Sequence, residues 1–331
     1  MTCAVRGRRT ATTSFLVAAA ASWGLGAVLS KHALEGYPPS VLLPVQLLCS
    51  TLVLGAVVAM TRAPVRSIKQ PGRLAALGVL NPGVAYALGL IGLSSINAST
   101  SVVIWATEPV IIVVMAFSLL REPISRFAVT SLAAAMGGIA LIVGAPSSGD
   151  SAVGVALTFV SVSACALYTI VLRRMNLSDA TLPVVWIQQL SALVFATLVL
   201  LAWTFVNDVV VDPSPSTTLA AVAGGVTYYG LGFLLYVSGL RRTTAARAGI
   251  FLTLIPVFGL AFSAVLLGER FTWVQTAGAL VVIVSMTTLT LTDRRRGGNG
   301  TGDDPEESCR EGPRIGGSPL DVRRSGDQVV D

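Results

Sequence analysis

Ten times along this chain a run of roughly 20 residues passes almost without charge. Each run is long enough to cross about 30 Å of hydrocarbon as a helix rising about 1.5 Å per residue. The runs fall near Ser14 to Ser30, Val41 to Met60, Leu74 to Leu93, Ser99 to Leu120 and Phe127 to Ala145, then near Ala152 to Leu172, Pro183 to Phe205, Thr217 to Leu240, Ala246 to Leu267 and Thr272 to Thr292. Lipid offers the backbone no hydrogen-bond partner, so a spanning segment must satisfy itself as a helix. The expected fold is an all-α polytopic membrane protein with ten transmembrane helices. Composition agrees, because 53% of the residues are apolar and only 12% charged, too little charge to coat a water-soluble surface.

Basic residues assign the two faces of the membrane, since Lys and Arg near helix ends stay on the cytoplasmic side. With the N-terminus inside, the inner face collects Arg6, Arg8, Arg9, Arg62, Arg66, Lys69, Arg73, Arg121, Arg126, Arg173, Arg174, Arg241, Arg242, Arg247 and the run from Arg294. The outer loops keep only Lys31 and Arg270, and the segments "PSSGD" and "NDVVVDPSPS" carry no basic residue. Both termini are therefore expected in the cytoplasm of an inner, cellular membrane. Arg6 to Arg9 ahead of Ala18 to Ala21 also has the shape of a secretory leader. A retained first helix is the preferred reading, because further spans follow at once.

The chain also matches itself. At an offset of 147 residues, the separation of Pro109 and Pro256, Gly78 falls on Gly225, Gly83 on Gly230, Gly92 on Gly239, Ala98 on Ala245 and Glu122 on Glu269. At 142, the separation of Gln46 and Gln188, Lys31 falls on Arg173. Five spans per copy is odd, so the second copy must enter the membrane from the opposite face. That is the inverted-repeat plan of many secondary transporters, with the site between the repeats. The expected organisation is a cytoplasmic N-terminus at 1–11, a first repeat at 12–146, a second at 152–292 and a disordered, Gly- and acid-rich cytoplasmic tail at 293–331.

Three segments, "ASWGLGAVLSKHAL", "ATEPVIIVVMAFSLLREP" and its counterpart "TLIPVFGLAFSAVLLGER", together with the helices "AAAMGGIALIVGA" and "WVQTAGALVVIVS", resemble the EamA-type drug/metabolite transporters over roughly Thr12 to Thr292. The resemblance implies ten helices in two EamA repeats that move amino acids, small metabolites or drugs across the cell membrane, with export favoured. Two positions depart from the repeat: Ser131 stands where the second copy has Gly278, and Ser285 where the first has Gly138. Both are small enough for close helix approach.

Glu108, inside the fourth span and followed by Pro109, is the leading candidate for the transport pathway. An ionisable group in a span costs several kcal/mol unless it faces protein or water. Pro109 removes a backbone donor and frees a carbonyl one turn earlier, near Trp105. An acid at such an opening suits proton uptake or capture of a substrate ammonium; the competing reading is a structural acid bonded to a neighbouring helix. Trp105, Thr107 and Trp23 can wall a pocket or offer a cation-π face, or simply pack. Gln46 and Gln188 either line a cavity or tie helices together. Asn81, Tyr86 and Tyr229 join the candidate pathway, with Asn97 and Tyr228 beside them, although placement at helix ends explains these equally. Glu122 and Glu269 read as capping or ion-pairing residues that mark the repeat.

Enzymatic chemistry finds no support. His32 is the only histidine, there is no HExxH, GxSxG or P-loop pattern, and Cys3, Cys49, Cys165 and Cys309 lack metal spacing. No cofactor or metal is expected. The expected partners are a small-molecule substrate, protons and the lipid bilayer, without nucleic acid, while a monomer and a homodimer read alike. The alternative is a non-transporting receptor or scaffold on the same fold, which has no reason to carry the insertion cost of Glu108.

Overall fold

The computed structural model describes residues 2–65, 68–93, 95–96, 104–143, 151–175, 181–267 and 272–298. The expectations for Arg66, Asn97, Ala98, Glu269, Arg270, the "PSSGD" segment and the tail from 299, with Cys309, lie outside these residues. The chain divides into two units, residues 1–290 and 291–331. The described part of the second, 291–298, is helical.

Every element is helical, and no strand occurs among the described residues. Among the described residues, seven helices are long and apolar enough to cross a membrane: Ala11–Ala33, Pro39–Met60, Ala152–Arg174, Thr181–Thr204, Pro215–Leu240, Ala245–Leu266 and Trp273–Thr292. Two shorter apolar helices, Glu108–Leu120 and Arg126–Ile142, join them. Large apolar side chains such as Leu52, Phe117, Leu198, Val265 and Trp273 stand on the outside, a surface that water would not tolerate and lipid accepts.

In chain order the elements are α1 (Thr2–Ala33), α2 (Pro39–Met60), α3 (Pro71–Gly78), a π segment (Val79–Val84), α4 (Ala85–Leu93), α5 (Glu108–Leu120), α6 (Arg126–Val143) and α7 (Ala152–Arg174). There follow α8 (Thr181–Thr204), α9 (Pro215–Gly224), a second π segment (Gly225–Gly232), α10 (Phe233–Leu240), α11 (Ala245–Phe251), a 3-10 turn (Leu252–Leu254), α12 (Ile255–Leu267) and α13 (Trp273–Gly298).

Four of the expected uninterrupted spans are thus broken, two in each half. The third span opens at Asn81, whose φ of −148° and ψ of 118° are extended, next to Pro82. Its counterpart in the second half widens into the π segment Gly225–Gly232. The fourth span bends through a turn at Ala106–Thr107 ahead of Pro109, and the ninth through the 3-10 turn ahead of Pro256. Each proline lacks the N–H that would continue the ladder. Side chains fill the gaps so created: Ser161 Oγ donates to the Ala85 carbonyl at 2.6 Å, Ser22 Oγ to that of Thr227 at 2.9 Å and Gln189 Nε2 to that of Tyr229 at 3.0 Å. Such repair is what permits an opened helix at membrane depth.

The halves exchange partners. Helices α1 and α2 of the first half pack on α9, the second π segment and α10, while α7 and α8 of the second half pack on α3, the first π segment and α4. Two glycines at the 147-residue offset form matching crossings. A methyl at Gly78 would overlap the Gln188 carbonyl, and one at Gly225 would lie 2.5 Å from the Gln46 carbonyl. The two glutamines tie helices rather than facing an open space: Gln46 Nε2 donates to Ser30 Oγ at 2.8 Å, and Gln188 Oε1 accepts from Tyr168 OH at 3.0 Å. A third close crossing joins α6 and α13, where a methyl at Gly138 would sit 2.7 Å from the Gly278 carbonyl.

Many of the basic residues gather at one end. Arg241 donates to Thr181 Oγ1 at 2.6 Å, Arg174 to the Leu119 carbonyl, and the Arg242 guanidinium covers the Phe15 ring at 4.8 Å. Glu122 fastens this end. Arg121 ends α5 in the left-handed region, φ 55°, and turns Glu122 towards α11, where its two oxygens accept from the N–H groups of Ala245 at 3.0 Å and Ala246 at 3.1 Å. Arg173 Nε lies 3.9 Å from the same carboxylate. Negative charge at a helix N-terminus is favourable and satisfies donors that no helical carbonyl can reach.

Two outcomes follow. Gly78→Ala or Gly225→Ala should cost about 1–3 kcal/mol by overpacking, whereas Gly137→Ala, with nothing within 4 Å of the added methyl, should leave thermal unfolding in detergent unchanged or slightly raised. Glu122→Ala should cost about 1–2 kcal/mol, the usual penalty for a lost helix cap, with Glu122→Gln intermediate; equal melting of all three would remove the capping role.

Candidate functional site

The four helix breaks converge on a cavity of about 290 Å³, near the small end of ligand pockets, which run from about 300 to 1,000 Å³. It is lined by 21 described residues drawn from both halves. Of these, 16 form eight pairs related by the two internal offsets. At 147 residues, Asn81 faces the cavity as Tyr228 does, Tyr86 as Phe233, Trp105 as Leu252, Ala106 as Thr253, Glu108 as Ile255 and Pro109 as Pro256. At 142, Trp23 pairs with Cys165 and Ala27 with Thr169. The positions are repeated, while the chemistry is not.

Glu108 opens α5 as the residue after its N-cap, Thr107, rather than lying nine residues inside an unbroken helix. The bend that Pro109 demands falls immediately before it. Thr107 repairs the bend, its hydroxyl donating to the Ile104 carbonyl at 2.6 Å, and Thr253 repeats the device in the second half by donating to Ile250 at 2.8 Å. The Glu108 carboxylate has no hydrogen-bond or ion-pair partner among the described residues. Glu108 is the only Asp, Glu, Lys, Arg or His among the described lining residues.

Aromatic rings form much of the remaining wall. Tyr86 lies 5.6 Å from Trp105 and 5.7 Å from Tyr228, centroid to centroid, and its hydroxyl donates to that of Tyr228 at 3.3 Å across the two halves. Trp23 meets Phe233 edge-on at 5.6 Å and Tyr236 at 5.1 Å. Tyr236 and Thr169 share a hydrogen bond of 3.1 Å. Two buried polar atoms at the wall, Trp23 Nε1 and Asn81 Oδ1, lack partners among the described residues. An unpaired polar atom in such a place costs stability.

Among the residues singled out from sequence, Glu108, Trp105, Pro109, Trp23, Asn81 and Tyr86 line this cavity. Thr107, Gln46, Gln188 and Tyr229 do not. Thr107 bonds the Ile104 carbonyl, and the two glutamines bond the Ser30 and Tyr168 side chains of neighbouring helices. The Tyr229 ring sits behind Tyr86 at 5.5 Å. Sequence reasoning missed Cys165, Tyr168, Thr169, Phe233 and Tyr236. Cys165 and Phe233 were within reach, since adding the repeat offsets to Trp23 and Tyr86 arrives at them.

The family described as EamA-like transporter family matches residues 11–144 and again residues 152–291. The chain is similar to an uncharacterized transporter, YvbV, of Bacillus subtilis (strain 168), at 25% identity over 84% of this chain and 91% of the relative. It is similar also to an uncharacterized transporter of Archaeoglobus fulgidus, at 23% identity over 80% and 93%. A solved crystal structure shares the fold with a TM-score of 0.73 at 19% identity, covering 86% of this chain and 98% of that one.

The unpartnered carboxylate gives a test of stability. Ionising a buried carboxyl group that has no partner destabilises the empty protein, so Glu108→Gln should raise its thermal midpoint in detergent at alkaline pH. A lowered midpoint would identify Glu108 as a structural partner of a neighbouring helix.

Proposed function

We propose that this chain, which belongs to the EamA-like transporter family, is a secondary transporter that carries small organic solutes through the cavity at Glu108 by alternating access. Membership makes it a multi-pass membrane transporter. In the fuller reading, the two halves are five-helix repeats of opposite orientation, ten spans in all, with both termini in the cytoplasm. The exchange of helix partners between halves supports this plan, as do the paired breaks and the basic end fastened by Glu122. Rocking one repeat against the other exposes a site between them first to one face and then to the other. Glu108 exchanges a proton with the substrate side of the cycle. The solutes are amino acids, related metabolites or drugs, and the direction is export.

The carrying observation is a single carboxyl group, without a partner among the described residues, in a cavity built by both halves. A scaffold would gain nothing from it, whereas a transporter needs a group whose partner comes and goes. The test is flux of a compound panel in proteoliposomes under an imposed pH gradient. Gradient-driven flux in the native protein, lost or uncoupled from pH in Glu108→Gln, supports the reading. Flux with unchanged pH dependence in the variant removes the proton role, and no flux from folded protein favours a receptor or scaffold.

A further inference from the structure

The charge inventory of the cavity selects among solutes. A carboxyl group at such a site either keeps its proton or takes a positive partner when ionised, and among the described residues the wall offers no such partner. A zwitterionic amino acid would neutralise Glu108 with its ammonium, but its own carboxylate would then face a wall with no described Lys, Arg or His. An acidic metabolite would add repulsion to that cost. One carboxylate is also far from the six to eight oxygen ligands, approximately, that a calcium ion takes, and no cluster of three potential metal ligands occurs among the described residues.

The other half of the cavity defines the rest of the solute. The positions paired with Glu108 and Trp105 are Ile255 and Leu252, with Pro256 and Phe233 alongside. One wall therefore carries the acid and the Trp105–Tyr86 ring pair, which suits an ammonium through charge and cation-π attraction. The part of the second-half wall made by Leu252, Ile255, Pro256 and Phe233 suits a hydrocarbon or aromatic body, while Tyr228, Tyr236 and Thr169 line another part of it. We infer that the cavity takes small organic cations of single positive charge, with an apolar body and no carboxylate, in preference to amino acids. This assignment rests on the cavity being the substrate site of the transport reading, and it narrows the solute classes given there to amines.

A matched set of probes isolates each element. Phenethylamine, phenylalanine and 2-phenylethanol share a phenyl ring and differ in whether they carry an ammonium alone, an ammonium with a carboxylate, or no charge. Calorimetric titration of the full chain in detergent should show phenethylamine binding at least about tenfold tighter than either of the others, a difference of about 1.4 kcal/mol. Glu108→Gln should erase that preference, while Gln275→Ala, at an exposed helix start away from the cavity, should preserve it. Phenylalanine binding as well as phenethylamine overturns the class, as does 2-phenylethanol matching it or the absence of amine binding to folded native protein. Transport is judged separately by flux. Amine binding without flux of any panel compound keeps the site assignment and removes the transporter, and flux confined to carboxylated or neutral solutes does the reverse.

Discussion

Everything in this structure is governed by the need of backbone N–H and C=O groups for partners where water is absent. Unbroken helices meet that need alone, and the lipid-facing elements α2, α7 and α8 run without interruption over 22, 23 and 24 residues. The chain departs from regular helix at four places and uses each departure to form one cavity. Prolines and a π widening release backbone groups; Ser22, Ser161, Thr107, Thr253 and Gln189 rebind them. The cavity is the space the unwinding leaves, and the hydroxyl and amide side chains make it affordable.

Close helix contact is the second condition. Gly78 against Gln188 and Gly225 against Gln46 are the same contact made twice, once with each half in each role. Because each half supplies the groove for the other's glutamine-bearing helix, neither half can complete its packing alone. The Glu122 cap adds a polar fastening between the end of α5 and the start of α11. A carboxylate bonded to two backbone donors is stronger than an exposed ion pair, which makes the 3.9 Å contact with Arg173 the lesser part of that junction.

That the chain is an all-helical, multi-span membrane protein was legible in the sequence because a membrane helix is set by length and apolarity, quantities that survive without tertiary context. The repeat was legible because Pro109, Gly78 and Gln46 recur at fixed offsets. Glu108 was legible as a charge with no reason to be in a span. The breaks were only half legible. Pro109 announced the bend before α5, but nothing in "AGGVTYYGLG" distinguishes a π segment from an ordinary helix, since both have the same composition and differ by a shift in hydrogen-bond register. The cavity wall was the least legible part. Tyr168 and Thr169 look like ordinary core residues, and only the packing of α7 against α4 and α5 brings them to Glu108. Gln46 and Gln188, conspicuous in sequence, bond side chains of neighbouring helices and do not line the cavity.

Two identical protomers meeting about a twofold axis must present every wall residue in duplicate, so the number of carboxyl groups in a cavity between them is always even. Fusion of the copies into one chain removes that parity rule. Glu108, with Ile255 at the repeated position, is a single carboxyl group, a count no symmetric pair of identical halves can display. A duplicated chain can thus hold a lone carboxylate without a second one a few ångströms away repelling it, and each half is free to shape a different end of the same solute.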